Sequence, residues 1–384
     1  MPLERGASVK IELEEALELI KANIAPIMKA DDISILDAAG RVCAEDVKSP
    51  ICVPPFDNSP LDGYALRAED SHMPLEVIDS ITAGMESEKA LQSGQAIALT
   101  TGCPMPKGAD CVVAQEKTKK IEGKIKPLEI LRPFQNFRKK GEDVDKGDII
   151  IKKGQVIDHI KIGMIASCGM NMVKVYGKPK VAVLATGDEL WPRWKGPLPA
   201  GKIYSSNDIM IYTRIKELGA DMIKLEAARD DKEDLAKAIV DIAKDVDLLI
   251  TTGGVSVGVK DLMPEVMKDI GAKTIFHGIN IKPGSVAMFS RYDEMAILSL
   301  SGNPRPAAIT LELLARPILA AMMQNKDIEL TPKKAIMQGN FEKISPSRRF
   351  VSGIFPNALL DIPSNSPPLR VGSEVTIWMS NSKI

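Results

Sequence analysis

The chain has 384 residues, 45% hydrophobic and 26% charged, the balance of a globular protein long enough for roughly two to three domains. A formal net charge of -1 gives no general pull toward nucleic acid or an anionic membrane, and 4% aromatic residues argue against a base-stacking platform. No apolar run approaches the ~18 residues of a membrane span. Glu4, Glu12, Glu14 and Glu15 stand where a secretory signal would be apolar. The five cysteines, Cys43, Cys52, Cys103, Cys111 and Cys168, are odd in number and lack Cys-x-x-Cys spacing. They predict reduced thiols in a cytoplasmic protein, with neither a disulfide frame nor a zinc site.

The first predicted element is an amphipathic helix over 11–23, with Leu13, Ala16, Leu17 and Ile20 on one face; Pro26 ends it. A proline-rich loop from Val53 to Tyr64 follows. Up to about residue 157, short apolar runs (95–100, 111–114, 121–130, 148–151) alternate with turn pairs such as Glu122-Gly123, Lys146-Gly147 and Lys153-Gly154. That text predicts β-rich structure. Residues 159–168 read as helix and 172–176 as extended.

From Lys180 strands alternate with helices. Strands are predicted over 181–185, 222–227, 248–251, 286–289 and 296–300. Helices are predicted over 208–218, 232–244, 262–270 and 307–324, the last containing Pro317. This order predicts an α/β multidomain chain with a mostly parallel sheet covered by helices on both faces, a three-layer αβα arrangement. A short, proline-rich β-like tail follows Asn325.

The chemistry gathers around Asp247-Leu-Leu-Ile-Thr-Thr-Gly-Gly-Val-Ser-Val-Gly-Val-Lys-Asp261. Gly253 and Gly254 leave the backbone open to a ligand, and Asp261 is the predicted cap of the next helix. A strand, a glycine loop and a helix N-terminus together favour an anion, although a plain βα turn has the same pattern. Ligands of open parallel sheets bind outside the carboxyl ends of the strands. There this sequence has Thr186-Gly-Asp-Glu189, Ala228-Arg-Asp-Asp231, Gly253-Gly-Val-Ser256 and Ser301-Gly-Asn-Pro304, with Lys282-Pro-Gly284 before the fourth strand. Carboxylates suit a hard cation such as Mg²⁺, and glycine amides with Lys282 suit phosphate. Singly, Asp188 and Asp230 also read as loop carboxylates and Lys282 as a surface charge. Jointly they point to a phosphorylated or nucleotide-linked substrate. No Walker A lysine motif and no G-x-G-x-x-G is present.

Six motifs in order resemble the molybdopterin molybdenumtransferase family, the molybdenum insertases that include the E domain of gephyrin. They are Phe56-Asp-Asn-Ser-Pro-Leu-Asp-Gly-Tyr-Ala65, Thr101-Gly-Cys-Pro-Met-Pro-Lys-Gly-Ala-Asp110, Gly141-Glu-Asp143, Thr186-Gly-Asp-Glu189, Thr251-Thr-Gly-Gly-Val-Ser-Val-Gly258 with Asp261, and Lys282-Pro-Gly284. The resemblance implies a discontinuous N-terminal α+β domain (1–48 and 142–176), an inserted β-rich domain (49–141), an α/β molybdopterin-binding domain (177–326) and a short C-terminal β-barrel (327–384). It implies a homodimer whose site draws on both chains. It also implies insertion of molybdate into adenylylated molybdopterin with release of AMP, a divalent metal such as Mg²⁺, and a molybdopterin adenylyltransferase as partner.

On that resemblance Asp62, Asp143, Glu189, Asp230, Asp261 and Lys282 carry the reaction, and Asp188, Glu189, Asp230 and Asp261 hold the metal. Thr101, Thr186, Gly187, Asp188, Gly253, Gly254, Ser256, Gly258, Pro283, Gly284, Gly302 and Asn303 bind the pterin nucleotide. Asp62-Gly63 also fits a hairpin turn. A pterin-adenylylating enzyme and a non-catalytic pterin- or nucleotide-binding carrier or scaffold are the alternatives. Two departures from the family pattern stand out. Ser285-Val286 follows Lys282-Pro-Gly where the family has Lys-Pro, and Ser301 opens Ser-Gly-Asn-Pro304 where the family has proline. Both predict weak oxyanion affinity and a less preorganised loop before Asn303.

Overall fold

The computed structural model describes residues 10–192, 195–224, 231–255, 262–355 and 357–380. The chain divides into two compact units, Met1–Asp31 with Tyr176–Ile384, and Asp32–Val175. The N-terminal helix therefore falls in the α/β unit, whereas the sequence reading groups 1–48 with 142–176.

In the first unit a six-stranded sheet runs in the order Asp221–Lys224, Lys180–Ala185, Leu248–Thr252, Met295–Leu300, Met288–Tyr292, Lys273–His277. The first four are parallel and the last two are joined antiparallel. Alternate residues of the central strands face opposite layers. Val181, Val183, Leu248 and Ile250 pack with Ile211, Ile215 and Leu314. Ala182, Leu184 and Leu249 pack with Leu235, Ile239, Met263 and Val266. A strand buried on both faces needs apolar residues at every position, which is why these runs lack polar alternation. The molecule is thus a multidomain α/β protein with helices on both sides of a mostly parallel sheet.

Three details differ from the sequence reading. The strand predicted over 286–289 lies at Met288–Tyr292, because Tyr292 pairs with Met295 across a tight turn holding Asp293 at φ 49. Lys273–His277 is an additional edge strand whose mixed polarity hid it. The long helix spans Pro304–Met323, 20 residues, and is long and apolar enough to cross a membrane, contrary to the expectation that no run approaches that length; its 78% burial marks a core helix. It widens to a π turn at Leu311–Ala315, just before Arg316 and Pro317. Proline has no N–H and its ring crowds the preceding turn, and a π bulge accommodates both.

Leu13, Ala16 and Ile20 of the Leu13–Asn23 helix join the larger core. The expected C-terminal barrel takes the form of a four-stranded antiparallel sheet, Leu330–Ile336, Glu374–Ser380, Ala358–Ile362, Arg349–Ser352. Its Phe350, Leu359 and Trp378 belong to the same core as Ile318 and Leu319.

The second unit has a four-stranded sheet ordered Glu76–Ile81, Gln95–Leu99, Gly63–Leu66, Cys111–Ala114. The run predicted over 121–130 is instead part of a hairpin, Thr118–Ile121 and Lys124–Pro127, turned by Glu122 (φ 50) and Gly123 (φ 80). Asp158 caps the His159–Ser167 helix, accepting from Lys161 N–H at 2.8 Å.

Candidate active site

Parallel strands in register bring Ala185, Thr252 and Leu300 to one edge. The segments leaving that edge are laced together. Thr186 N–H donates to Thr252 O at 2.9 Å, and Gly253 N–H to Leu300 O at 3.1 Å. Gly253 stands at φ +99, and a Cβ there would lie 2.3 Å from Thr186 O. Only glycine permits both the backbone angle and this approach. Gly302 packs on the other side, where a Cβ would meet Gly253 Cα at 3.4 Å, an ordinary contact.

The buried Asn207 ties the edge together. Its Nδ2 donates to Thr252 Oγ1 at 2.9 Å and to Gly302 O at 2.8 Å. A narrow cleft of about 50 Å³ opens here, lined by Thr186, Glu189, Asn207, Thr252, Gly302 and apolar Leu190 and Ile203 among others. Among the described residues, Thr186 Oγ1 and Asn207 Oδ1 are buried without a hydrogen-bond partner.

The predicted residues Thr186, Gly187, Glu189, Gly253, Gly254 and Gly302 thus gather at one edge, with Asp188 and Asn303 next to them in the chain. Asp230, Ser256, Gly258 and Asp261 lie outside the described residues. The carboxylate of Glu189 folds over Gly187, 2.7 Å from where a Cβ would stand. The carbonyl of Asp188 accepts from Lys202 Nζ at 2.5 Å. Among the described residues no three His, Cys, Asp or Glu side chains converge as metal ligands. The two described carboxylates of the predicted set offer oxygen donors, the chemistry a hard divalent cation requires.

A second concavity, about 370 Å³, lies at Lys282-Pro283, where it meets Arg305, Phe341, Lys343, Arg349, Phe350 and Val351. Strand-like pairing builds it: Lys282 N–H donates to Arg348 O at 2.8 Å and Phe350 N–H returns to Lys282 O at 2.9 Å. Gly284 (φ +102) packs against the 304–310 helix, where a Cβ would strike Thr310 Cγ2 at 2.3 Å. Four cations face the concavity, no carboxylate lines it among the described residues, and Arg349 Nε is buried without a partner.

In the second unit Asp62 accepts the Thr101 N–H at 2.7 Å and the Thr101 hydroxyl at 2.9 Å. Those bonds hold its carboxyl below the ordinary value. Asp143 pairs with Arg138, whose guanidinium is pushed up by that carboxylate. The loops bearing these residues meet at Asn58 and Ser59: Asn58 and Arg138 exchange backbone bonds at 2.9 Å each, and Ser59 N–H donates to Cys103 O at 3.1 Å. The hairpin-turn reading of Asp62-Gly63 fails, because Gly63 opens a strand paired with Leu99 and Ala114. A Cβ on Gly63 would lie 2.0 Å from Val113 O.

Sequence reasoning missed Asn207, Arg138, Lys343 and Arg349. Asn207 sits in Ser205-Ser-Asn-Asp208, which reads as an ordinary helix start. Arg349 reaches Lys282 only through a β-bridge between segments far apart in the chain, and Lys343 shares only the lining of the same concavity. Arg138, five residues before Asp143, was within reach of a charge-pair argument.

Residues 11–169 match the model of the MoeA N-terminal region (domain I and II), and residues 182–321 that of a probable molybdopterin binding domain. A molybdopterin molybdenumtransferase of Bacillus subtilis (strain 168) is 36% identical over 333 residues, covering 84% of this chain and 77% of the relative. The chain belongs to the molybdopterin molybdenumtransferase family. The molybdopterin molybdenumtransferase of Haemophilus influenzae is also 36% identical, covering 84% of this chain and 80% of its own. The solved molybdopterin biosynthesis moeA protein of Pyrococcus horikoshii OT3 superposes with a TM-score of 0.81 at 29% identity, covering 97% of this chain and 100% of that one.

Within this molybdopterin molybdenumtransferase family pattern, the two departures have structural answers. Ser301 Oγ accepts the Asn303 N–H at 3.2 Å, so a side-chain turn holds the loop where proline would. That bond offsets part of the freedom expected from losing the proline. Arg305, two residues past Asn303, lines the basic concavity beside Lys282, so the charge absent at Ser285 has a neighbour able to supply it.

Proposed function

We propose that this chain inserts molybdate into adenylylated molybdopterin, releasing AMP and yielding molybdenum cofactor. The observation that carries this reading is the pair of concavities flanking the start of the Pro304–Thr310 helix: a cleft lined by Glu189, Thr186 and Gly302, and a basic concavity around Lys282. The first supports a nucleotide-linked pterin; the second supports a tetrahedral dianion. Lys282, Arg305, Lys343 and Arg349 bind the oxyanion by charge-assisted hydrogen bonds, which are shorter and stronger than neutral ones. Gly253, Gly254 and Gly302 let the substrate approach the backbone. A divalent cation such as Mg²⁺ would be held by Asp188 and Glu189 with Asp230 and Asp261, and would supply positive charge beside the phosphates. Asp62, Asp143 and Thr101 serve the same reaction. The chain works as a cytoplasmic homodimer; the five free cysteines suit a reducing compartment.

Mixing the chain with adenylylated molybdopterin, Mg²⁺ and molybdate, and following AMP and cofactor, tests this reading. Both products should appear together. Consumption of ATP with unmodified molybdopterin would identify an adenylylating enzyme, and binding without turnover a carrier.

A further inference from the structure

The cleft at the carboxyl edge holds two polar atoms to which no described residue hydrogen-bonds. Asn207 and Thr186 are 8% and 3% exposed. Asn207 Oδ1 and Thr186 Oγ1 have no partner among the described residues. The Asn207 amide cannot be turned end for end, because the atom facing the Gly302 carbonyl at 2.8 Å must be a donor. Thr252 agrees, since its hydroxyl donates to Ser301 O at 3.2 Å and so accepts from Asn207 Nδ2. The network therefore leaves one carbonyl that can only accept and one hydroxyl that can do either. A buried polar group without a partner destabilises a fold, and its retention needs an explanation.

We propose that Asn207 Oδ1 and Thr186 Oγ1 read a neutral N–H edge of the fused heterocycle in the pterin nucleotide. This rests on the function proposed above. Asn207 accepts from an amino group and Thr186 donates to the neighbouring ring nitrogen. An anionic group is the wrong partner for this pair of atoms, because Asn207 offers it only a carbonyl. The narrowness, about 50 Å³, and the flanking Leu190 and Ile203 favour the edge of a flat ring. Adenine and pterin both carry an amino group beside a ring nitrogen, so the two ends of the substrate share this chemistry.

Calorimetric titration of the purified chain with AMP, and separately with pterin, distinguishes the sources. On this inference at least one probe binds, and Thr186→Val weakens it roughly tenfold. The same variant keeps or raises the thermal midpoint, because the hydroxyl it removes has no partner among the described residues. Deleting the amino group from the probe (purine riboside 5′-monophosphate for AMP, 4-hydroxypteridine for pterin) should weaken binding to the wild type but bring no further loss with Asn207→Leu. Unchanged affinity in Thr186→Val overturns the inference. So does a loss of affinity matched by a fall in thermal midpoint, which would assign a purely structural role. If neither probe binds the wild type, the proposed function fails as well, an outcome separate from the other two.

Discussion

Arg348 grips Asp361 through two parallel hydrogen bonds, Nε to Oδ1 at 2.9 Å and Nη2 to Oδ2 at 2.7 Å. The indole N–H of Trp378 donates to the same carboxylate at 3.0 Å, and Arg348 Nη1 reaches Glu14 at 2.8 Å. The Arg348 carbonyl in turn receives the Lys282 N–H at 2.8 Å. One residue thus joins the N-terminal helix and the C-terminal sheet through its side chain and the loop of the basic concavity through its carbonyl. Asp361 is 7% exposed, so removing its partner strands a buried charge. Arg348→Met should destabilise the fold by about 3–5 kcal/mol in urea denaturation. A loss under ~1 kcal/mol, the size of an exposed pair, would contradict the clamp.

Glu312 sits in the π turn between Arg214 (2.7 Å) and Arg316 (2.6 Å). Burial raises its carboxyl, but the two guanidiniums outweigh burial and hold it below the ordinary value. A depressed carboxylate stabilises fully above its unfolded value of ~4.3, and the contribution is lost as pH falls through the depressed folded value. Glu312→Gln should therefore cost about 3 kcal/mol near pH 7, and the gap to wild type should narrow below pH ~4. Denaturation curves at both pH values check this; a gap that widens on acidification contradicts it.

How much of this was legible in the sequence depended on what each element buries. Leu248–Thr252 and Lys180–Ala185 were readable because a strand covered on both faces leaves no polar alternation. Lys273–His277 was not, since an edge strand carries mixed residues. The π turn was hidden because Pro317 fixes where the helix must widen without saying how. At the site, the glycine segments declared themselves through backbone demands that other residues cannot meet. Asn207 and Arg349 did not, because their roles come from partners about 95 and 67 residues away in the chain, Gly302 and Lys282, which only the folded sheets bring close.

Thr101 gives Asp62 two hydrogen bonds, one from its amide and one from its hydroxyl. Thr101→Val removes the second alone. The Asp62 carboxyl should then rise toward its ordinary value, as followed by carbon-detected NMR titration. No rise would mean that the hydroxyl plays no part in holding the charge.

Arg305 is expected to carry the charge that Ser285 lacks. Arg305→Ala should raise the half-saturating molybdate concentration by roughly one to two decades and flatten its salt dependence, since one fewer charge is left to screen. Ser285→Lys in the same chain should restore much of the loss. A silent Arg305→Ala would leave the oxyanion to Lys282, Lys343 and Arg349. Ser301→Pro should bring no gain, because it discards the Ser301–Asn303 bond that already holds the loop.

The most direct test of the central claim is AMP release in a single turnover from adenylylated molybdopterin, measured with and without molybdate. We expect release of one AMP per substrate that depends on molybdate and is accompanied by an equal amount of molybdenum cofactor. Release at the same rate without molybdate, or cofactor-free hydrolysis in its presence, would contradict the account.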